Sequence, residues 1–322
     1  QAPTIDGELN DSAWDVVEWT TDYTEFEPDV GTPPTEQTKM KIIYDAKNLY
    51  VAFRCYQADP STIEKRMGRR DDFPGDWVEI NLDSYNDDRS AFSFTISASG
   101  VKGDEFVSNN GNFDDSWNPI WYTDVQIDDE GWTAEIRIPL SQLRFGNEQE
   151  QTWGLQSTRR YFNNEERSTW QRLDANPPGW VSGFGELRGL IGLKPQKQLE
   201  IQPYTVLQLD TYEAQAGNPF RDGSNTKITG GLDAKIGITN DLTVDLTINP
   251  DFSQIEVDQQ QTNLTRFNLF FPERRTFFLE NSDIFSRCEW RALIINDLSE
   301  KGDFVMLFQS LGRRRRGLFI GL

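Results

Sequence analysis

Between residues 226 and 249 the chain reads TKITGGLDAKIGITNDLTVDLTIN. Ile228, Leu232, Ala234, Ile236 and Ile238 alternate with Thr229, Asp233, Lys235 and Gly237. After a turn at Thr239, Asn240 and Asp241 the alternation resumes, with Leu242, Val244, Leu246 and Ile248 against Thr243, Asp245, Thr247 and Asn249. A period of two puts successive side chains on opposite faces of a strand, so this segment predicts a hairpin with one apolar face. Its first arm is about as long as the roughly 9 to 11 residues with which a tilted strand crosses a bilayer. Outer-membrane barrels show this apolar-out, polar-in alternation, and so does a soluble sheet with one wet face. A further strand of the type is predicted where Leu199, Ile201, Leu207 and Leu209 alternate with Glu200, Gln202, Gln208 and Asp210.

Upstream the strands are shorter and more aromatic. Residues 39–58 predict strand, tight turn at 45–48, strand, with apolar alternation on both arms. Strand-length runs follow at 77–82, 91–97, 132–138 and 152–158, separated by Asp, Asn, Gly and Pro clusters. Regular short strands of this kind predict an antiparallel β-sandwich, with brief helical pieces only at 12–17 and 140–143. The compact pattern gives way to longer strands around 193–199, which contains a Pro and two Lys. The expected organisation is therefore all-β: a sandwich over 1–192, followed by the first strands of an outer-membrane-type β-barrel over 193–322. Because small membrane barrels need at least about eight strands, the chain is expected to be truncated within its second domain. Residues 254–285 break the alternation and predict a long insert or plug-like loop. Arg313 to Arg316 suit either solvent or anionic lipid head groups.

The chain of 322 residues has no histidine, which excludes His-based acid/base catalysis, Ser-His-Asp triads, imidazole zinc sites and bis-His haem ligation. With three Met besides, neither haem nor a nucleotide cofactor is expected. Acids outnumber bases by 52 to 32, a net charge of -20, so nucleic acid is a poor partner and neutral ligands or divalent cations are better ones. Cys55 is in phase with Leu49, Val51 and Phe53 and reads as a buried, inert thiol; the other cysteine is Cys288. There is neither an apolar run of membrane-helix length nor a basic-then-apolar leader.

Ten Trp and 21 Phe supply an unusual share of the apolar area, and some of them fall out of phase with the core. In the run 77–83, Val78, Ile80 and Leu82 share one face; Trp77, Glu79, Asn81 and Asp83 share the other. An indole beside a carboxylate and an amide is what sugar binding needs, the ring meeting the C–H face and the polar groups the hydroxyls. Phe73 lies close by. Trp132 and Trp153 are in phase with apolar neighbours and are expected in the core. The loop 109–122 carries Phe113, Trp117 and Trp121, and large aromatics on loops either cap a core or make a site. Trp170 and Trp180 are similar candidates. Arg159 and Arg160 have the fork geometry for hydroxyl pairs or for surface ion pairs. Asp83, Asn86, Asp87 and Asp88 form an oxygen-rich turn, either solvated or suited to Ca²⁺. A glycosidase needs two carboxylates roughly 5 to 9.5 Å apart, and no context singles out such a pair.

The opening Pro3-Thr4-Ile5-Asp6-Gly7-Glu8-Leu9, with Asp11 and Trp14, resembles the start of family 9 carbohydrate-binding modules. So, in order, do Tyr44-Asp45 with Asn48-Leu49-Tyr50-Val51, then Asp76-Trp77-Val78-Glu79, and Gly131-Trp132 with Glu135-Ile136-Arg137-Ile138-Pro139. Residues 241–285 resemble a barrel domain of unknown function that follows such modules in outer-membrane proteins of Bacteroidota-type bacteria. After Phe285 the expected continuation into further strands is not found. The resemblance implies a non-catalytic glycan-binding module at the outer membrane of an exported protein, and it favours the membrane reading of the hairpin. It also implies one aromatic platform from Phe73 or Trp77, a second from Trp117, Trp121, Trp170 or Trp180, Glu79 as a polar clamp, and a structural calcium. The alternatives are an accessory subunit whose sandwich meets an outer-membrane protein, and a glycoside hydrolase.

Overall fold

The computed structural model describes residues 2–20, 22–211, 213, 223–239 and 242–249, together with the backbone of the strand 304–310. Two compact units divide the chain, Gln1–Gln196 and Lys197–Leu322.

The first unit is an antiparallel sandwich. Its strands are β1 (Thr24–Glu27), β2 (Thr38–Tyr44), β3 (Asn48–Tyr56), β4 (Trp77–Asp83), β5 (Ala91–Ser97), β6 (Lys102–Ser108), β7 (Asn112–Asp114), β8 (Tyr122–Asp128), β9 (Gly131–Pro139), β10 (Glu150–Tyr161), β11 (Glu166–Thr169) and β12 (Gly185–Ile191). The large sheet runs β1-β11-β10-β4-β5-β6-β7, with β12 also on β10, and the small sheet runs β2-β3-β9-β8. Among the described residues helical structure is confined to short 3-10 turns such as Ser12–Val16 and Val181–Gly183. The helical piece expected at 140–143 is instead a turn, closed by the Gln142 N–H on the Pro139 carbonyl.

Strand phase sets the core. Val78, Ile80 and Leu82 of β4, Phe92, Phe94 and Ile96 of β5, and Trp153 and Leu155 of β10 meet Leu49, Val51, Phe53, Trp132, Ala134, Ile136 and Ile138 of the small sheet. Cys55 lies in this layer as its phase predicts, and burial pushes its thiol up to about 12, so it stays protonated and inert. The outer face of the small sheet is covered by the N-terminal segment. There Glu135, wholly buried, accepts from Trp14 Nε1 (2.8 Å) and from the Asp6 and Gly7 N–H groups (3.0 Å each).

The second unit holds β13 (Leu199–Thr211), β14 (Ser224–Thr239), β15 (Leu242–Ile248) and β16 (Phe304–Ser310), hydrogen-bonded in that order and antiparallel. The hairpin expected at 226–249 is β14 and β15, although its turn residues 240 and 241, the insert expected at 254–285, Cys288 and the Arg313 to Arg316 run lie outside the described residues. Pairings such as Leu199 with Ile236 and Leu207 with Ile228 put the apolar residues on one face. Leu199, Ile201, Leu207, Leu209 and Ile228 are 59–70% exposed there. On the opposite face Thr247 Oγ1 donates to Asp233 Oδ1 (2.5 Å).

Candidate functional site

Since Val78, Ile80 and Leu82 turn inward, Trp77, Glu79, Asn81 and Asp83 must project from the other face of the large sheet. Register builds a polar floor around them. Glu79 lies between Thr95 and Thr158, Asn81 between Ser93 and Gln156, Thr158 beside Thr169, and Ser93 beside Glu105. Pointing away from the core should leave these groups wet, yet Glu79 is 7% exposed and Asn81 0%.

Sheet curvature accounts for that burial. Trp180 lies 6.4 Å, centroid to centroid, from both Phe26 of β1 and Phe113 of β7, which are the two opposite edge strands. The large sheet therefore curls until aromatic rings from its edges converge, and this face is concave. Asn110 secures the loop that carries Trp180: its carbonyl accepts the Trp180 N–H (2.8 Å), and its side chain exchanges two hydrogen bonds with Ser182 (2.9 Å each). At another point on the floor the Phe73 ring rests on the backbone of Gly103, where a Cβ would come within 1.9 Å of it. Gly103 is opposite Thr95, so Phe73 stands over the concave side.

Among the described residues three buried polar atoms of this face have no hydrogen-bond partner, Asn81 Oδ1, the Thr169 hydroxyl and Trp180 Nε1, while Asn81 and Thr158 also reach the Glu79 carboxylate. Native proteins pair the great majority of such atoms, although core indoles such as those of Trp132 and Trp153 are left unpaired here too. Electrostatics add to the picture. Glu79 accepts from Ser93 Oγ (2.6 Å); burial raises its pKa, against the lowering effect of Ser93, Asn81, Thr158 and the more distant Arg167. Glu105 is pushed up to about 7, first by burial and then by the charges of Glu79, Asp115, Asp71 and Asp104.

Residues 5–176 match the model of the "Carbohydrate family 9 binding domain-like" family, more than half of the chain. The chain belongs to this family. Residues 195–290 match a domain of unknown function, DUF5916. Similar solved structures include a family 9 carbohydrate-binding module from Caldicellulosiruptor kristjanssonii in complex with glucose, at 21% identity over 61% of this chain and 93% of that one, TM-score 0.43. The same organism's module in complex with cellotriose is 22% identical over 58% and 89%, TM-score 0.43. No curated protein matches the chain.

Within this family 9 module, Phe73, Trp77, Glu79, Asn81 and Trp180 of the expected site residues share the concave face. Trp77 is half-buried, with the Arg167 guanidinium 6.0 Å from its ring centroid. Four expected residues are elsewhere. Trp121 is sealed in the core, edge-on to Phe94, its Nε1 donating to Asp104 Oδ2 (2.8 Å). Trp117 closes the same core against Phe92 and Phe94, so the loop 109–122 caps with these two rings rather than binding with them. Trp170 packs on the core and against Gly185.

Arg159 is the largest correction. It shares the inward phase of Trp153 and Leu155, and its guanidinium donates between the sheets to the Gln37 and Tyr56 carbonyls (3.0 and 2.9 Å), Thr38 Oγ1 (3.2 Å) and Gln57 Oε1 (3.4 Å). Its neighbour Arg160 faces the other way and donates to the Glu165 carbonyl (3.1 Å). Sequence reasoning missed Ser93, Thr95, Glu105, Gln156, Thr158 and Thr169, although the alternation of their strands already placed them out of phase with the core.

The residues expected for calcium are engaged in a turn. Asp83 spends its two oxygens on the Asp87 and Asp88 N–H groups (3.2 and 2.9 Å), and Asp87 Oδ1 accepts from the Arg89 and Ser90 N–H groups (2.9 and 2.8 Å). Among the described residues no three carboxylates or thiols are grouped to hold a metal ion. An open groove beside the small sheet, between the 7–10 turn, Trp19 and Tyr56, offers little: its Arg54 is already paired with Asp128 and Glu130.

Proposed function

We propose that the module binds glycans non-covalently on the concave face of its large sheet. Phe73, Trp77 and Trp180 supply ring faces for the apolar side of a sugar; Glu79, Asn81, Thr158 and Thr169 supply hydrogen bonds to its hydroxyls. The observation that carries this reading is the meeting on one concave face of the Phe73, Trp77 and Trp180 rings with a carboxylate, an amide and two hydroxyls, a mixture that suits a ligand with apolar C–H faces and many hydroxyls. Titration calorimetry against a panel of oligosaccharides is the test. Binding is expected, and Trp180→Ala should weaken it about tenfold or more; silence across the whole panel rejects the proposal.

The reading extends to the second unit. The apolar face of β13 to β15 is supported as a lipid-facing surface by its exposed Leu199, Ile201, Leu207, Leu209 and Ile228, since water-facing sheets rarely keep so large an apolar area open. These strands then belong to an outer-membrane barrel, and the module is held at the cell envelope. The natural protein should fractionate with the outer membrane and resist alkaline carbonate extraction. Recovery in the soluble fraction would contradict this.

A further inference from the structure

The glycan reading leaves one feature of the concave face unused. Glu105 projects from β6 next to Ser93, and Ser93 is also the donor to Glu79, so two carboxylates flank one serine on the same face of three adjacent strands. The Glu105 carboxylate is half-buried and makes no hydrogen bond or ion pair among the described residues. Every charge that acts on it most strongly is negative: Glu79 from β4, Asp71 from the loop before β4, Asp115 after β7, and Asp104 of its own strand.

Arg70, Arg167 and Lys102 are committed elsewhere. Arg70 pairs with Asp104 (2.5 Å) and lies 4.0 Å from Asp71. Arg167 sits over the Trp77 ring and 3.6 Å from Glu27, reaching Glu79 only as a lesser influence. Lys102 points to the other side of its strand, donating to the Trp121 carbonyl (2.8 Å). Such a pair is relieved either by a proton, as the raised pKa of both carboxyls records, or by a ligand that brings a positive charge.

We propose that the concave face selects glycans carrying a protonated amine, with Glu79 and Glu105 receiving the ammonium beside the sugar's hydroxyls. The inference rests on the glycan reading and names its substrate class. Asn81, wholly buried, lies on the same floor as Ser93 and serves the adjoining hydroxyls.

A matched series tests it: β-1,4-linked tetramers of glucosamine, N-acetylglucosamine and glucose differ only in the group at one carbon. Calorimetry on the full chain, at a pH where the amine is protonated, should give about tenfold or tighter binding for the glucosamine tetramer. Glu105→Gln should collapse that ratio toward one, and raised salt should narrow it. Equal affinity for the three tetramers overturns the amine preference while leaving the glycan reading intact. A lysine tetrapeptide binding as tightly as the amino sugar overturns it too, because the charge alone would then be selected. Failure of all three tetramers, together with the wider oligosaccharide panel, removes the glycan reading itself.

Discussion

Replacing Arg159 with methionine is expected to destabilise the sandwich by about 3 to 5 kcal/mol while leaving glycan affinity within about twofold. The guanidinium is 1% exposed and joins the two sheets. It supplies donors to two carbonyls, a threonine hydroxyl and a glutamine carbonyl, which methionine cannot do. Each buried acceptor left without a donor costs about 1 to 3 kcal/mol, only partly recovered by the apolar packing of the methionine. Asp76 also loses a favourable charge, because Arg159 is among the influences that lower its pKa. Urea unfolding followed by tryptophan fluorescence reads the first quantity, and calorimetry well below the transition reads the second. Wild-type stability combined with lost binding would return Arg159 to the ligand.

Gly103→Val is expected to cost about thirtyfold in glycan affinity, or about 2 kcal/mol, with a change in stability below about 1 kcal/mol. A Cβ at this position would stand 1.9 Å from Cζ of Phe73 and about 3 Å from both Cε atoms (2.8 and 3.0 Å), so the ring has to leave the strand. Valine suits a strand, and the half-buried ring has solvent to swing into, which keeps the effect on folding small. The substitution thus removes a platform without touching a polar contact. Phe73→Ala should lose about the same affinity, and the double variant should lose no more than either alone, as expected of two changes acting through one ring. Full affinity in Gly103→Val would show that Phe73 is not a platform.

Both predictions turn on which side of a strand a residue occupies, and that much was readable from the chain. Alternation around Val78, Ile80 and Leu82 placed Glu79 and Asn81 outward, and the phases of Leu49, Val51 and Phe53 placed Cys55 inside. Arg159 was legible by the same rule, because it keeps step with Trp153 and Leu155. The guanidinium's chemistry argued for the surface, and burial with four acceptors overrode it. The loop aromatics followed no such rule. Trp117, Trp121 and Trp180 carry the same kind of ring on irregular backbone, and without a period there is no face to assign.

The amino-acid sequence by itself determined the antiparallel sandwich, the long hairpin after it, the core phase of each strand and the outward set Trp77, Glu79 and Asn81, because a two-residue period is a local property of an extended chain. Only the tertiary structure decided that the large sheet curls until Phe26, Phe113 and Trp180 meet. The same curvature brings Glu79, Asn81 and Thr158 under cover. Curvature and strand order are sums over contacts between residues far apart in the chain, and no window of neighbouring residues contains them.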